Sequence, residues 1–382
     1  MVSPMLLRLV TLVAVVAWVP ALATAPAGPA QPRVVAQATA PAAPIVPVPP
    51  GGAPPAAPAQ PRVVAQKYGA MGTEIILSAW TADQRKAERA FAAGYDEVRR
   101  IEILMTDWER PGEPESDVVR INKAAGKQAA RVSAETFEVI QKSMEMSRKS
   151  GGAFDITFAA MKGLWRFDED LDKKLPPAAE ITRRRKLINW RDVVVDTKAR
   201  TVKLRRPGMR LGLGGIAKGY AVDRCAAVLR GEGLVDFMVQ AGGDLYVAGS
   251  KGPTNWMVGV RDPRGGPRDI IARMQIKDHA FSTAGDYERA FVLDGKRYHH
   301  IIDPATGYPA TASREVTIFA PTAFLADALD DAVFILGPKK GMALVESFPD
   351  CSTVIVDAKN QVWTSKALEG KLQRTGPPTD GI

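Results

Sequence analysis

The chain has 382 residues, of which 46% are hydrophobic and 24% charged, with a formal net charge of +9 and an isoelectric point near 9.5. This length suits one large folded domain or two smaller ones. The basic charge fits a nucleic acid, an anionic membrane or an anionic small ligand as partner. No zinc-finger or helix-turn-helix pattern and no basic stripe with interleaved aromatic residues occurs, which argues against nucleic acid.

Residues 1–25 have the pattern of a secretory signal peptide. Arg8 precedes an apolar run from Leu9 to about Val19, and small residues with Ala-x-Ala spacing follow. The alternative is a membrane anchor that is not cleaved, although the apolar run is short for a membrane-spanning helix. We therefore predict export, to the periplasm or the outer face of the cytoplasmic membrane.

Residues 26–66 are predicted to form a disordered linker. They consist largely of Ala, Pro, Gly and Val with almost no charge, and the string QPRVVAQ occurs in them twice. Folded structure is expected from Lys67 to about residue 365, followed by a flexible tail over residues 366–382.

Predicted helices and mostly antiparallel strands are mixed along the folded part, which indicates the α+β class. Residues 73–80 (TEIILSAW) alternate like a strand, and Thr81 with Gln84 makes the capping-box pattern of a helix that ends near Met105. Further helices are predicted at 132–152, 217–230, 322–336 and 338–348, and a hairpin at 191–206. Strand-like runs dominate the second half of the chain.

A glycine-rich segment, MRLGLGGIAKGYAVDR (209–224), precedes one predicted helix. Gly212, Gly214 and Gly215 allow a ligand to approach the backbone closely, and the helix N-terminus with Lys218 suits a phosphate. The spacing fits neither the Rossmann fingerprint nor the P-loop. Close packing of the helix against a strand is the alternative explanation.

An acidic pair lies within the predicted helix at 322–336. Asp327 and Asp331 are four residues apart and share one face, with Asp330 close to it. Two carboxylates on one face can hold Mg²⁺ together with a substrate phosphate. The alternative is an acidic pair that interacts favourably with the helix dipole.

Two of the three histidines of the chain are adjacent, in YHHIIDPATGYP (298–309). They end the second strand of a hairpin that turns at Asp294-Gly295, so alternation sends His299 and His300 to opposite faces. A neutral His that points into a cleft is suited to act as a general base near pH 7, whereas a hydrogen-bonded structural His is the alternative.

A fourth segment, GGAFDITFAAMKGLWRF (151–167), carries Phe154, Trp165 and Phe167 around Asp155. These rings either stack on a flat ligand or fill the core. Together, a phosphate loop, an acidic pair and a candidate base in an exported protein favour phosphoryl transfer on a nucleotide-like ligand.

In their order and spacing these segments resemble the ApbE family, the FAD:protein FMN transferases. The resemblance extends from about Lys67 to Thr364, and implies one ApbE-like (T-fold-like) catalytic domain over residues 67–365. The strings that carry it are AMGTEIIL, GGAFDITFAAMKGLWRF, LGLGGIAKGYAVDR, VQAGGDLYVAG, FSTAGDYERAF, HHIIDPATGYP and APTAFLADALDDAVFILG.

The resemblance implies an Mg²⁺-dependent enzyme that splits FAD at its pyrophosphate and esterifies FMN to a Thr or Ser of another protein, with release of AMP. Acceptors of the family are extracytoplasmic redox subunits such as those of Nqr and Rnf complexes. Acceptor motifs of the D-G-x-x-(S/T)-(A/S/T) type do not occur in this chain, so the acceptor is expected to be a separate protein. Two alternatives remain: an FAD pyrophosphatase that gives FMN and AMP, and a non-catalytic FAD-binding protein.

The resemblance also implies roles for individual residues. His300 is the implied catalytic residue, and His299 stands where the family often has Ser. The implied ligands of Mg²⁺ are a backbone oxygen at Gly215 and the carboxylates of Asp327 and Asp331. The implied FAD contacts are Met71, Trp108, Phe154, Asp155, Ile156, Gly212, Lys218 and Ile302.

Three of these positions depart from the family pattern. The family often has Tyr in place of Trp108, commonly Asp in place of Gly212 and commonly Thr in place of Asp331. The missing carboxylate at Gly212 puts one FAD contact in doubt. The additional carboxylate at Asp331 still suits a hard cation and is expected to change metal affinity without abolishing the site.

Overall fold

The computed structural model describes residues 60–167 and 173–382. The predicted signal peptide and most of the predicted linker lie outside these residues. No helix in the described part is long and apolar enough to span a membrane. The helices are α1 (Gln84–Met105), α2 (Asp117–Lys123), α3 (Ala134–Lys149), α4 (Ala178–Arg185), α5 (Ala217–Gly231) and α6 (Ala323–Glu346).

Sixteen strands are found in the described residues. They are β1 (Arg62–Ala70), β2 (Thr73–Thr81), β3 (Ala130–Arg131), β4 (Val193–Asp196), β5 (Thr201–Leu204), β6 (Phe237–Ala241), β7 (Asp244–Ala248), β8 (Trp256–Arg261), β9 (Ile270–Ile276), β10 (His279–Gly285), β11 (Ala290–Leu293), β12 (Lys296–His299), β13 (Ser313–Ala320), β14 (Ser352–Asp357), β15 (Val362–Thr364) and β16 (Gln373–Arg374).

Eight strands form one antiparallel sheet in the order β1-β2-β6-β7-β10-β13-β14-β15. Alternation along β10 divides its side chains between two cores. Ala280 packs with α1, α5 and α6, whereas Phe281 packs with β8 and β9 of a second, three-stranded sheet. Helices on one face of an antiparallel sheet confirm the α+β class.

Helix α1 begins with a different cap from the predicted one. The Asp83 carboxylate accepts the Lys86 N–H at 2.9 Å, while the Thr81 hydroxyl accepts the Asp83 N–H at 3.0 Å. Thr81 is the last residue of β2, so its hydroxyl stabilises the turn before the helix instead of capping it. The predicted end at Met105 is confirmed.

Helix α6 is kinked where two helices were predicted to meet. Gly337 has a φ of +69° and Pro338 follows it, so the helical geometry is interrupted there. A Cβ on Gly337 would also lie 2.9 Å from the Cβ of Ala312. The positive φ and the close approach of the 312 backbone both favour glycine at this position.

Both predicted boundaries of the folded part require correction. Strand β1 begins at Arg62, five residues before Lys67, because the second copy of the repeated string pairs with β2. The predicted flexible tail is attached to the fold. Strand β16 pairs with β9, and the Thr379 hydroxyl donates to Asp262 at 2.6 Å.

Candidate active site

The glycine-rich segment leads directly into α5, as predicted. The N–H groups of Ile216 and Ala217 donate to the Leu213 carbonyl, which begins the helix. Two residues further on, a Cβ on Gly219 would lie 2.2 Å from the Ala323 carbonyl oxygen, so α5 and α6 are in backbone contact there. Because of this contact, the Gly219 N–H reaches the Asp327 carboxylate at 2.7 Å.

Lys218 lies between two carboxylates from different elements. Its ammonium group donates to Asp244, the first residue of β7, and lies 3.5 Å from Oδ1 of Asp327 on α6. Burial raises the pKa of Asp327 to about 7, and the charge of Asp244 adds to this shift, whereas Lys218 and the Gly219 N–H oppose it. The cation therefore compensates part of a buried acidic cluster.

Ser282 connects two further acids of this cluster. Its hydroxyl lies 2.5 Å from Oδ1 of Asp244 and 2.6 Å from Oδ2 of Asp330. A hydroxyl carries one proton, so one of these two contacts requires a protonated carboxyl group. Burial, with the nearby charges of Asp331 and Asp327, raises the pKa of Asp330.

Two of the three residues implied as metal ligands, Gly215 and Asp331, are neighbours, and the charge of Asp331 raises the pKa of the third, Asp327. Oδ2 of Asp331 lies 2.8 Å from the position that a Cβ on Gly215 would occupy, and the Phe154 ring lies 3.7 Å from the same position. Within residues 60–167 and 173–382, no N–H or hydroxyl group donates to the Asp331 carboxylate. Burial raises its pKa to about 6. The carboxylates that the structure brings within 4.8 Å of one another, a spacing that could hold a metal ion, are those of Asp244, Asp327 and Asp330, so this group includes Asp327 but not Asp331. Carboxylate oxygens are the hard donors that Mg²⁺ prefers.

The two histidines point to opposite sides, as predicted. His299 is buried, donates from Nε2 to the Ala310 carbonyl at 2.8 Å and packs edge-on against Phe334. His300 is exposed, and its backbone N–H donates to the Arg289 carbonyl. His299 therefore has a structural role, whereas His300 is accessible to a ligand.

His300 lies near Lys218. Desolvation lowers the pKa of His300, and the charges of the neighbouring His299, Arg289 and Lys218 lower it further. The guanidinium group of Arg289 also donates to the Gly72 carbonyl at 3.2 Å, which brings the turn containing Met71 to this side. A neutral imidazole at pH 7 has the protonation state that a general base requires.

The segment around Asp155 is fixed to the glycine-rich loop. The Ile156 carbonyl accepts the Gly212 N–H at 2.9 Å. One Asp155 oxygen accepts from the N–H and hydroxyl of Thr157, and the other accepts the Trp190 N–H at 2.8 Å. Both oxygens are thus used within the fold, so this geometry gives no support to the prediction that the Asp155 side chain contacts FAD.

Two other implied contacts differ in accessibility. Trp108 is 64% exposed, and the Lys162 ammonium lies 3.5 Å from the centroid of its ring. A cavity of about 430 Å³ opens beside it. Ile302 is buried in a cluster with Trp165 and Tyr298, which places it in the core and gives no support to the predicted FAD contact.

Several residues of the site were not predicted from the sequence. Asp244 lies in the string VQAGGDLYVAG, where a carboxylate directly follows two glycines between apolar strands, and this was the available signal. The roles of Ser282 and Asp330 depend on a contact between β10 and α6 that no local pattern indicates. Asp107 and its ion pair with Lys162 were also missed.

Comparison with known proteins gives consistent matches. A model described as the ApbE family matches residues 71–355. An FAD:protein FMN transferase of Klebsiella pneumoniae is 32% identical over 293 residues, which cover 76% of this chain and 88% of that protein. One of Treponema pallidum is 33% identical over 273 residues, covering 68% and 75%. The ApbE protein of Thermotoga maritima, 32% identical, has a TM-score of 0.71 and covers 81% of this chain and 98% of that one.

Proposed function

The chain belongs to the ApbE family, and we propose that it is an FAD:protein FMN transferase that acts on a Thr or Ser hydroxyl of a separate protein. The observation that carries the proposal is the arrangement at the start of α5, where Lys218 lies between Asp244 and Asp327 and Gly215 lies beside Asp331. The charge of Lys218 also lowers the pKa of the nearby His300. A base beside a phosphate-binding region is the arrangement that phosphoryl transfer requires.

In the proposed reaction, the acceptor oxygen attacks the FMN phosphorus of FAD. A ring nitrogen of His300 accepts the hydroxyl proton as the new phosphorus–oxygen bond forms. The bond between that phosphorus and the bridging oxygen of the diphosphate breaks, and AMP leaves with the bridging oxygen. The products are the phosphoester of FMN on the acceptor and free AMP.

The diphosphate of FAD is proposed to bind at the start of α5. Lys218 supplies a positive charge there, and the closely packed loop before it holds the backbone in place. The carbonyl of Gly215 with the carboxylates of Asp327 and Asp331 would hold Mg²⁺. When bound, Mg²⁺ would neutralise charge on the diphosphate and on the leaving AMP.

One observation favours a second activity, hydrolysis of FAD to FMN and AMP. The His300 side chain is open to solvent, so water has access to the same base. Water would then replace the acceptor hydroxyl with no other change in the site. We propose hydrolysis as a slower side reaction of the transferase.

The acceptor is proposed to be an extracytoplasmic redox protein, such as a subunit of the Nqr or Rnf type. Support comes from the signal-peptide pattern of residues 1–25, which predicts export, and from the family to which the chain belongs. Location in the periplasm or on the outer face of the cytoplasmic membrane has the same support.

The proposal is tested by product analysis. The protein is incubated with FAD and Mg²⁺, with and without an acceptor domain, and FMN and AMP are separated by chromatography. We expect AMP to form in excess over free FMN when acceptor is present, because the missing FMN is on the acceptor. Equal amounts of FMN and AMP under both conditions would identify a pyrophosphatase, and absence of both products would contradict an enzymatic function.

A further inference from the structure

The cavity beside Trp108 is lined by a carboxylate to which the proposed reaction assigns no role. Asp107, two residues after the end of α1, lines this cavity. Its Oδ2 forms an ion pair with the Lys162 ammonium at 2.6 Å. The same ammonium also donates to the Asp107 backbone carbonyl at 3.1 Å. Lys162 therefore fixes both the backbone and the side chain of Asp107.

The same ion pair also shapes the surface of Trp108. The Lys162 ammonium lies 3.5 Å from the indole centroid and therefore covers one face of the ring. Trp108 nevertheless remains 64% exposed and lines the cavity. A large exposed aromatic face beside a fixed carboxylate is suited to a flat ring that carries an N–H group at its edge.

Only one oxygen of the Asp107 carboxylate is used by the protein. Oδ2 is held by Lys162, whereas among the described residues no donor is found for Oδ1. A hydrogen bond from a ligand N–H to an ionised carboxylate is stronger than one between neutral groups. The geometry thus provides a stacking surface and a charged acceptor on the same wall.

The glycine-rich loop lies next to the Asp107 carboxylate. A Cβ on Gly212 would lie 3.8 Å from Oδ2 of Asp107 and 3.1 Å from the Cβ of Ala159. A carboxylate carried on residue 212 would therefore point toward the position that the Asp107 carboxylate occupies.

We propose that Asp107 is an FAD-binding residue that accepts a hydrogen bond from an N–H group at the edge of one of the flat rings of FAD, in the space that a side chain on residue 212 would otherwise enter. FAD has two donors of this kind, the N–H of the flavin imide and the exocyclic amino group of adenine. Lys162 is the positioning residue for this carboxylate. The inference rests on the proposed function, because that function makes FAD the ligand.

The test is an FAD titration followed by flavin fluorescence, without acceptor or turnover. Asp107→Ala and the isosteric Asp107→Asn are compared with Glu109→Gln, which removes a carboxylate from the same cavity wall. We expect both Asp107 variants to raise the Kd for FAD by roughly 10- to 100-fold, the range for hydrogen bonds to charged groups, and Glu109→Gln to change it less than about threefold. Folded Asp107 variants that bind FAD as tightly as the wild type would overturn the proposal.

Separate titrations with FMN and ADP identify the half of FAD that is bound. A weakened FMN affinity with unchanged ADP affinity assigns the flavin imide, and the reverse assigns the adenine amino group. Unchanged affinity for both halves contradicts the contact.

The position of the carboxylate is tested by moving it. Asp107→Ala combined with Gly212→Asp is expected to bind FAD more tightly than Asp107→Ala alone, whereas Gly212→Asp alone places two carboxylates side by side and weakens binding. A folded double variant that binds no better than Asp107→Ala would contradict the shared position. If the wild type itself binds no FAD, the proposed function and this inference both fail; if it binds FAD and transfers FMN but Asp107→Ala does so equally, only this inference fails.

Discussion

His299 and His300 are adjacent in the chain but lie in different environments. The His299 ring is inside the core, with Nε2 2.8 Å from the Ala310 carbonyl oxygen, whereas His300 is exposed. Strand alternation at the end of β12 separates the two rings. One side chain of the pair therefore contributes to stability, and the other is available for chemistry.

Substitution of the two histidines is expected to affect different quantities. His300→Ala removes the proposed base and should reduce FMN transfer by at least about 10²-fold with little change in the free energy of unfolding. His299→Ala leaves the Ala310 carbonyl without its donor and opens a cavity, which should cost about 1–3 kcal/mol of unfolding free energy. Single-turnover transfer rates and urea unfolding curves of both variants distinguish these outcomes. Normal transfer by His300→Ala would refute its role as base.

The requirement for Mg²⁺ is expected to rise as the pH falls. The pKa values of Asp327 and Asp331 are raised to about 7 and about 6, so below pH 7 a proton must leave before the carboxylates can bind a cation. The Mg²⁺ concentration for half-maximal activity should therefore be higher at pH 6 than at pH 8. At saturating Mg²⁺ the rate should not fall through protonation of His300, because the pKa of His300 is lowered. A Mg²⁺ requirement that is the same at both pH values would contradict the assignment of these ligands.

Lys218→Met is expected to be strongly destabilising. Without the ammonium group, the buried Asp244 and Asp327 lose their counter-charge, and loss of one partner of a buried pair costs about 3 kcal/mol or more. Lys67→Met is the matched control, because Lys67 pairs with Glu74 at the surface, where an ion pair contributes about 1 kcal/mol or less. Thermal and urea unfolding measure both variants. Equal losses for the two would show that the acidic cluster does not depend on Lys218.

Glu315 should make the protein less stable as the pH rises. It is fully buried between the two sheets, accepts a hydrogen bond from the Thr317 hydroxyl, and burial raises its pKa from 4.5 to about 8. Between these values the folded state keeps the proton that the unfolded state loses, so raising the pH from 5 to 8 lowers the free energy of unfolding, on the order of a few kcal/mol.

Glu315→Gln retains the shape without the titratable group and should remove this part of the pH dependence. Glu346→Gln, at an exposed position, is the control for removal of one carboxylate. Urea unfolding at pH 5 and pH 8 gives the comparison. A Glu315→Gln variant with the same pH dependence as the wild type would show that Glu315 is ionised in the folded state.

Local patterns predicted much of the fold and the acidic pair of α6, Asp327 and Asp331. The i, i+4 spacing of Asp327 and Asp331 and the Gly337-Pro338 interruption are properties of one helix, so both were visible in the sequence. Alternation in β12 likewise predicted the divergence of the two histidines.

Features that depend on contacts between distant segments were not predicted. Lys218 lies near Asp327 because a backbone contact at Gly219 fixes α5 against α6, and no local sequence pattern indicates that contact. The start of β1 was missed because its residues repeat a string of the linker, and only pairing with β2 makes this copy a strand. The C-terminal segment is attached by a hydrogen bond between Thr379 and Asp262, which is also a contact between residues far apart in the chain.

The central claim is tested most directly by the intact mass of an acceptor domain after incubation with the protein, FAD and Mg²⁺. A second acceptor, in which the modified Thr is replaced by Ala, and the His300→Ala enzyme serve as controls. The account predicts a mass gain of one FMN phosphoryl unit on the Thr-containing acceptor with the wild-type enzyme, and none with either control. An unmodified acceptor, across a panel of extracytoplasmic redox domains, with stoichiometric release of FMN and AMP would contradict transfer and leave hydrolysis as the activity.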